Sequence, residues 1–342
     1  MSPPPILARV WRGNRIESVH RGSVAVVDED GRLVAAAGAP RGGIYLRSAA
    51  KPFQAMPLLE AGGEKAFRLG SVEIALVCAS HGGEPRHVRV ARRLLDRGGF
   101  SVEDLACGAH LPMHEPSARA LLASGQRPTA LHNNCSGKHA GLLLACRLYG
   151  FEPAGYWRPD HPLQRIITRR VGDLCGVRVS RIGIAVDGCS LPVFHLPLSG
   201  LALGYARLMA RARPAGVSDG AVRERIRRAM WESPAMVAGS GRFTTEFLEA
   251  GSGRWIGKEG AEGVYAVGLA SRKGEKALGI AFKLEDGSSR ARDAVTLDIL
   301  ARLRRLPGAA RRLLSKHLVP VVENVRGLAV GRIEAEVPLR RR

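Results

Sequence analysis

The chain has 342 residues, 45% of them hydrophobic and 24% charged, and its 52 Lys+Arg against 31 Asp+Glu give a net charge of +21. That length suits one large domain or two moderate ones, and the composition excludes a disordered tail, a collagen-like chain and a coiled coil. No run approaches the ~18 apolar residues of a membrane span, and the opening MSPPPILARVWRG has no apolar core of signal-peptide length, so a cytoplasmic protein is expected.

The basic residues are unevenly chosen. Lys supplies only 8 of the 52, leaving 44 for Arg. Arg keeps its proton in a protein, whereas a buried Lys can lose one and act as a base or a ligand, so each Lys inside a polar motif is notable. A nucleic-acid binder would interleave basic stripes with aromatics. Aromatics are only 5% here, and the densest Arg patches, 223–228 and 302–312, fit solvated helix faces, so nucleic acid is not favoured as a partner. The six cysteines, at 78, 107, 135, 146, 175 and 189, include no CxxC pair. They are expected as reduced thiols, and any metal site must be assembled from distant segments.

In chain order, SVAVVDEDGRLVAAAG places two apolar runs around Asp-Gly and predicts a hairpin. YLRSAAKPFQAMPLLEAGG predicts a helix from near Ser48 to near Glu60, with Pro52 inside its start and Gly62-Gly63 beyond its end. Ser48 is the one serine with Lys three residues later, Lys51, and at a helix start i and i+3 share a face. Two readings follow: a serine cap before a surface lysine, or a nucleophile whose proton a neutral Lys51 accepts while helix-start N–H groups hold an oxyanion. IALVCASHGGEPRHV then runs from an apolar segment into Ser80-His81-Gly82-Gly83-Glu84. Such a turn lets backbone approach a ligand, or simply starts a helix with Ser80 as its cap.

ALHNNCSGKHAGLLLACRLYG puts Asn133, Cys135, Lys138 and His139 at the head of an apolar helix, and RIGIAVDGCSLPVF is a short strand followed by a turn with Asp187 and Cys189. Two thiolates and one neutral amine can hold zinc with a fourth position open, although lysine is a rare ligand because it must shed its proton, and spacing alone favours core thiols over a metal site. WIGKEGAEGVYAVGLA sets Lys258-Glu259-Gly260 immediately before a β-run, and GVYAVGLASRKGEKALGIAFKLEDG predicts a second hairpin. ARDAVTLDILARLRRL has helical spacing, and LAVGRIEAEV suggests a last strand.

Strands at both ends and helices between predict an α+β fold: an antiparallel sheet formed by both chain ends, flanked by helices, with a mainly helical middle. We expect one domain over 1–342, its sheet part about 1–47 and 255–342 and its helical part about 48–254. S-x-x-K on a helix, a serine on a loop and Lys-x-Gly on a strand follow the order of serine β-lactamases and penicillin-binding proteins. Glu259 stands where those enzymes carry Thr, which weakens the case for their carboxylate pocket.

The stretches YLRSAAKPFQ, CASHGGEPRHV, LHNNCSGKHAGLL, AVDGCSLPVF and GKEGAEGVY together resemble the L-asparaginase II family, the asparaginases with a serine β-lactamase-like fold. The resemblance implies hydrolysis of L-asparagine to L-aspartate and ammonia, catalytic pairs Ser48/Lys51 and Ser80/Lys258, one zinc per chain on Cys135, Lys138 and Cys189, and a homodimer. Arg47, His81, Gly82, Asn133 and His139 are candidates for binding the substrate, with Asp187 acting through a zinc-bound water; His139 reads equally as a packed residue. The rivals are another serine amidohydrolase on this fold, acting on glutamine, peptides or β-lactams, and a basic nucleic-acid binder with a vestigial site.

Overall fold

A computed structural model describes residues 3–211 and 220–341, so 212–219 of the expected helical stretch lie outside the described residues. The chain divides into two units, one of residues 1–49, 196–210 and 250–342, the other of 50–195 and 211–249.

The first unit is built on an antiparallel sheet in the order Val321–Glu323, Ala329–Ala335, Ile6–Arg12, Arg15–Asp28, Leu278–Leu284, Val264–Leu269 and Trp255–Gly260. Both expected hairpins are present: Arg15–Asp28 pairs Leu33–Ala37 across a turn where Gly31 has φ +95°, and Val264–Leu269 pairs Leu278–Leu284. Strands from both chain ends therefore sit side by side, with Ala8 opposite Ala335, as the α+β reading requires. The helix Leu198–Met209 lies on the sheet over two glycines. A Cβ on Gly268 would come within 2.8 Å of the Tyr205 carbonyl oxygen, and one on Gly279 would fall inside that of Ala202.

The second unit is mainly helical. Its buried centre is the helix Ser136–Tyr149, which meets Ser71–Val77 backbone to side chain: a Cβ on Gly137 would stand 2.5 Å from the Leu76 carbonyl oxygen, and one on Gly141 would stand 2.7 Å from Val77 Cγ1. That close approach sets the end of one helix, at Cys78–Ser80, beside the start of the other, at Cys135–Lys138. The strands Gly183–Val186 and Pro192–Pro197 pair around a tight loop that carries Asp187 and Cys189.

The expected single helix from Ser48 to Glu60 is instead a 3-10 turn, Arg47–Ala50, followed by two short helices, Lys51–Gln54 and Met56–Glu60. Pro57 has no N–H to give the preceding turn, so the helix restarts there. Among the described residues no helix is long and apolar enough to cross a membrane.

Replacing Gly279 by Ala forces the helix Leu198–Met209 off its strand, because the obstacle is backbone and cannot rotate away. The substitution is expected to cost about 3 kcal/mol, the upper part of the range for overpacking, measured as a lower urea midpoint with an unchanged slope.

Candidate active site

The second unit buries a lysine beside a serine. Lys51 is 0% exposed, and its Nζ donates to the Ala79 carbonyl at 2.5 Å and contacts Ser80 Oγ at 3.0 Å and the Asn134 carbonyl at 3.4 Å. A neutral amine has two N–H bonds and one lone pair. With the carbonyls taking the N–H bonds, the lone pair faces the Ser80 hydroxyl; the ammonium form would instead donate to all three oxygens.

In the first unit Ser48 lies half-buried on the 3-10 turn Arg47–Ala50, three residues before Lys51 in the chain. The turn is held from below, since the Tyr205 hydroxyl donates to the Ala49 carbonyl at 2.8 Å. Arg47 has φ +48°, a left-handed conformation that L-residues seldom adopt and that needs such support. The strand Trp255–Gly260 runs beside the same turn, with a Cβ on Gly260 placed 3.0 Å from the Leu46 carbonyl oxygen. On that strand Lys258 is fully buried and its Nζ meets Glu259 Oε1 and the Glu259 carbonyl, each at 3.1 Å. The residue flagged as a departure from Thr is therefore the lysine's counter-ion.

Cys135, Lys138 and Cys189 meet in the second unit, all three buried. Lys138 Nζ donates to Cys189 Sγ at 3.1 Å, and the two thiols are hydrogen-bonded to each other. Burial works against the Lys138 charge, but Cys189, Cys135 and then Asp187 outweigh it and raise its pKa. The hydrogen bond from Cys189, with the nearby Lys51 and Lys138 charges, draws Cys135 down, and the same bond together with burial pushes Cys189 up. Two soft sulfur donors and one nitrogen at a common point form a set that suits zinc better than magnesium or calcium. Cys107, pushed up to about 12 by burial, behaves as an ordinary core thiol.

The other candidates divide by what they touch. His139 is buried; its Nδ1 lies 2.6 Å from the Tyr156 hydroxyl, which itself receives the Ala106 N–H. Nε2 has no hydrogen-bond partner among the described residues. Asn133 is spent on structure, donating to the Cys107 and Gly108 carbonyls and accepting the Cys135 N–H. His81 is also committed. Its Nδ1 accepts the Gly83 N–H, its Nε2 faces Ser136 Oγ at 3.0 Å, and its ring stacks on His87 at 4.9 Å. Gly82 is buried with its carbonyl accepting the His114 N–H, and Asp187 Oδ1 accepts the N–H of Gly188 in the hairpin loop.

Sequence reasoning passed over the groups that hold these residues in place: Tyr205, Tyr156 and the segment around Ser240. Ser240 donates through its N–H and its hydroxyl to the buried Glu84 carboxylate, and Arg242 donates to the Ser80 carbonyl at 2.9 Å, so the loop 80–84 is clamped from outside. A lone Tyr or Arg in an ordinary context carries no signal for such contacts.

The second unit thus holds one buried lysine in contact with a buried serine, Lys51 with Ser80. The L-asparaginase II family model matches residues 8–335, and the chain belongs to that family. Among solved structures, it is similar to the Bacillus subtilis glutaminase YbgJ in covalent complex with 5-oxo-L-norleucine, at 13% identity over 84% of this chain and 89% of that one, with a TM-score of 0.40. A Bacillus glutaminase is 12% identical over 83% of this chain and 91% of its own, with a TM-score of 0.38. Mglu in its native form is 15% identical over 84% of this chain, with a TM-score of 0.37, and the chain spans only 62% of its length. A comparison with curated proteins finds no match.

The clamp predicts a pH dependence. His81 sits well below its usual pKa because burial disfavours the charged ring and the neighbouring His87 works the same way; burial likewise lowers His87. In the unfolded chain both return to about 6.5 and there bind more protons than the folded protein does. Stability is therefore full above that value and falls as the pH drops below it. At a pH near 5.5 His81 alone should cost about 1.4 kcal/mol. Urea unfolding across this range should show the loss, with a shallower slope in His81→Asn.

Proposed function

We propose that the protein is an L-asparaginase that works through serine and lysine, with an accessory zinc. The observation that carries this reading is the Lys51 amine, fully buried and fixed by two carbonyls with its third position on a serine hydroxyl. An amine held against a serine hydroxyl is placed to exchange a proton with it.

Ser48 attacks the side-chain amide carbon of asparagine as Lys51 takes its proton, and backbone N–H groups of the turn Arg47–Ala50 stabilise the oxyanion. The proton passes to the departing ammonia, leaving a β-aspartyl ester that water hydrolyses. Ser80, linked to Lys51, relays protons in both halves. Lys258, kept beside Glu259, supplies a fixed positive charge. Arg47 suits the substrate carboxylate, and His139 Nε2 is a buried polar atom in need of a partner. Cys135, Lys138 and Cys189 would hold the zinc, which when bound supplies Lewis acidity and a fixed charge for orienting the amino acid. Asparagine is preferred to glutamine on family membership.

Purified protein should release ammonia from asparagine faster than from glutamine, and Ser48→Ala should lower the rate at least about a thousandfold, some 4 kcal/mol of barrier. Lys51→Arg should be impaired to a similar degree, because Arg stays protonated. Near-normal turnover in a folded Ser48→Ala protein would transfer the nucleophile's role to Ser80, and faster glutamine turnover would make the enzyme a glutaminase.

Elemental analysis should find one zinc per chain, lost in Cys135→Ser and in Cys189→Ser because hydroxyls replace thiolates poorly. The zinc-free protein should remain folded, with KM raised more than kcat is lowered. An unchanged KM would end the orienting role.

A further inference from the structure

At the foot of the strand that carries Lys258, three arginines from three segments line one small recess. Arg254 immediately precedes the strand Trp255–Gly260, Arg272 follows Val264–Leu269, and Arg305 follows the helix Arg292–Arg302; Trp255, Leu269, Ala270 and Ser271 complete the wall. The cavity holds about 100 Å³, roughly the room of three waters at ~30 Å³ each.

Each guanidinium is tethered by the chain itself. Arg254 donates to the Ala250 carbonyl at 3.2 Å and lies over the Trp255 ring at 5.6 Å. Arg272 donates to the Arg304 carbonyl at 3.2 Å, and Arg305, only 6% exposed, donates to the Ala270 carbonyl at 3.4 Å. These bonds use a minority of the five N–H groups on each side chain. Arg305 is paired with Glu275, while Arg254 and Arg272 have no carboxylate partner among the described residues. Three positive charges against one negative leave the recess at +2. The crowding is felt, since burial and then Arg272 lower the pKa of Arg305 despite Glu275.

We propose that this recess binds a phosphate dianion, either free or as the end group of a small phosphomonoester. A charge of −2 matches the residual charge, and tetrahedral oxygens can accept from guanidinium groups contributed by three separate segments. A planar carboxylate brings half the charge, and a recess of this size admits no nucleotide base. Lys258 is three residues beyond Trp255, about 10 Å along an extended strand, so the recess does not depend on the residues given catalytic roles above.

Calorimetric titration of the full chain with inorganic phosphate, near pH 7.5 and at fixed ionic strength, should show one saturable site. Arg254 and Arg272 are exposed, so R254A/R272A should fold, as checked by its melting curve, and bind at least tenfold more weakly. R311A/R312A removes the same charge from an exposed helix elsewhere and should change the affinity less than twofold. Sulfate should compete and acetate should not. Lowering the pH from 7.5 to about 5 converts both inorganic phosphate and phosphomonoesters to monoanions, so phosphate should weaken and sulfate should not. Methyl phosphate separates the two sources: equal affinity identifies phosphomonoesters as ligands, and a tenfold loss identifies free phosphate. Absence of saturable binding, or the same loss in both double variants, would overturn the proposal by assigning phosphate to the diffuse positive charge of the surface.

Discussion

A primary amine shut away from solvent must find acceptors for its N–H groups, and much of the second unit is arranged around meeting that need at Lys51. Two of the acceptors are backbone carbonyls, of Ala79 and Asn134, from segments 55 residues apart in the chain. Backbone can offer carbonyls at a point only if both segments are fixed there. The helices that fix them, Ser71–Val77 and Ser136–Tyr149, approach closely enough because Gly137 and Gly141 leave room. A side chain at either glycine would separate the helices and, with them, the two carbonyls. Leaving an amine buried without them would cost several kcal/mol. The glycines and the lysine are thus parts of one device, although none of them touches another's side chain.

The loop that carries Ser80 is stiffened by a layer outside it. His81 and His87 use every ring nitrogen to tie the loop to itself and to its neighbours, and both act as neutral rings because each Nδ1 accepts a backbone N–H. Glu84, Ser240 and Arg242 complete the layer. This explains a feature the motif conceals. Ser-His-Gly-Gly-Glu looks like a row of reactive groups, yet only the serine is presented to the buried amine, and the histidine and the glutamate hold it there.

What was legible in the sequence was local. The hairpins announced themselves through Asp-Gly and Gly-containing turns between β-rich runs, and Ser48, Lys51, Ser80, Cys135, Lys138, Cys189 and Lys258 stood out because each lay in a short polar motif against an apolar element. The partners were not legible. Tyr205 meets Ala49 across 156 residues and Arg242 meets Ser80 across 162. Nothing in the neighbourhood of either residue encodes a contact at that separation; the topology of the sheet and the helix pairing create it. The break at Pro57 is local: Pro52 and the glycines after Glu60 suit one helix, but Pro57 has no N–H with which to continue it.

The choice between the two basic residue types ties composition to chemistry. Of the eight lysines, the buried ones are Lys51, Lys138 and Lys258, the same three that lie in polar motifs. Each occupies a place an arginine could not fill. Lys51 offers a compact amine to a serine, Lys138 an amine to a pair of sulfurs, and Lys258 a point charge to one carboxylate. A guanidinium is too broad for such pockets and does not give up its proton. Arginine is used where a permanent, forked charge is wanted: in ion pairs such as Arg170–Glu60, over the faces of Trp11 and Trp255, and on the surface. The net charge of +21 therefore reflects arginine doing solvation and bracing work, while the residues with reactive nitrogen form a separate, small and buried set. That separation is what makes a single lysine in a polar motif so informative in this chain.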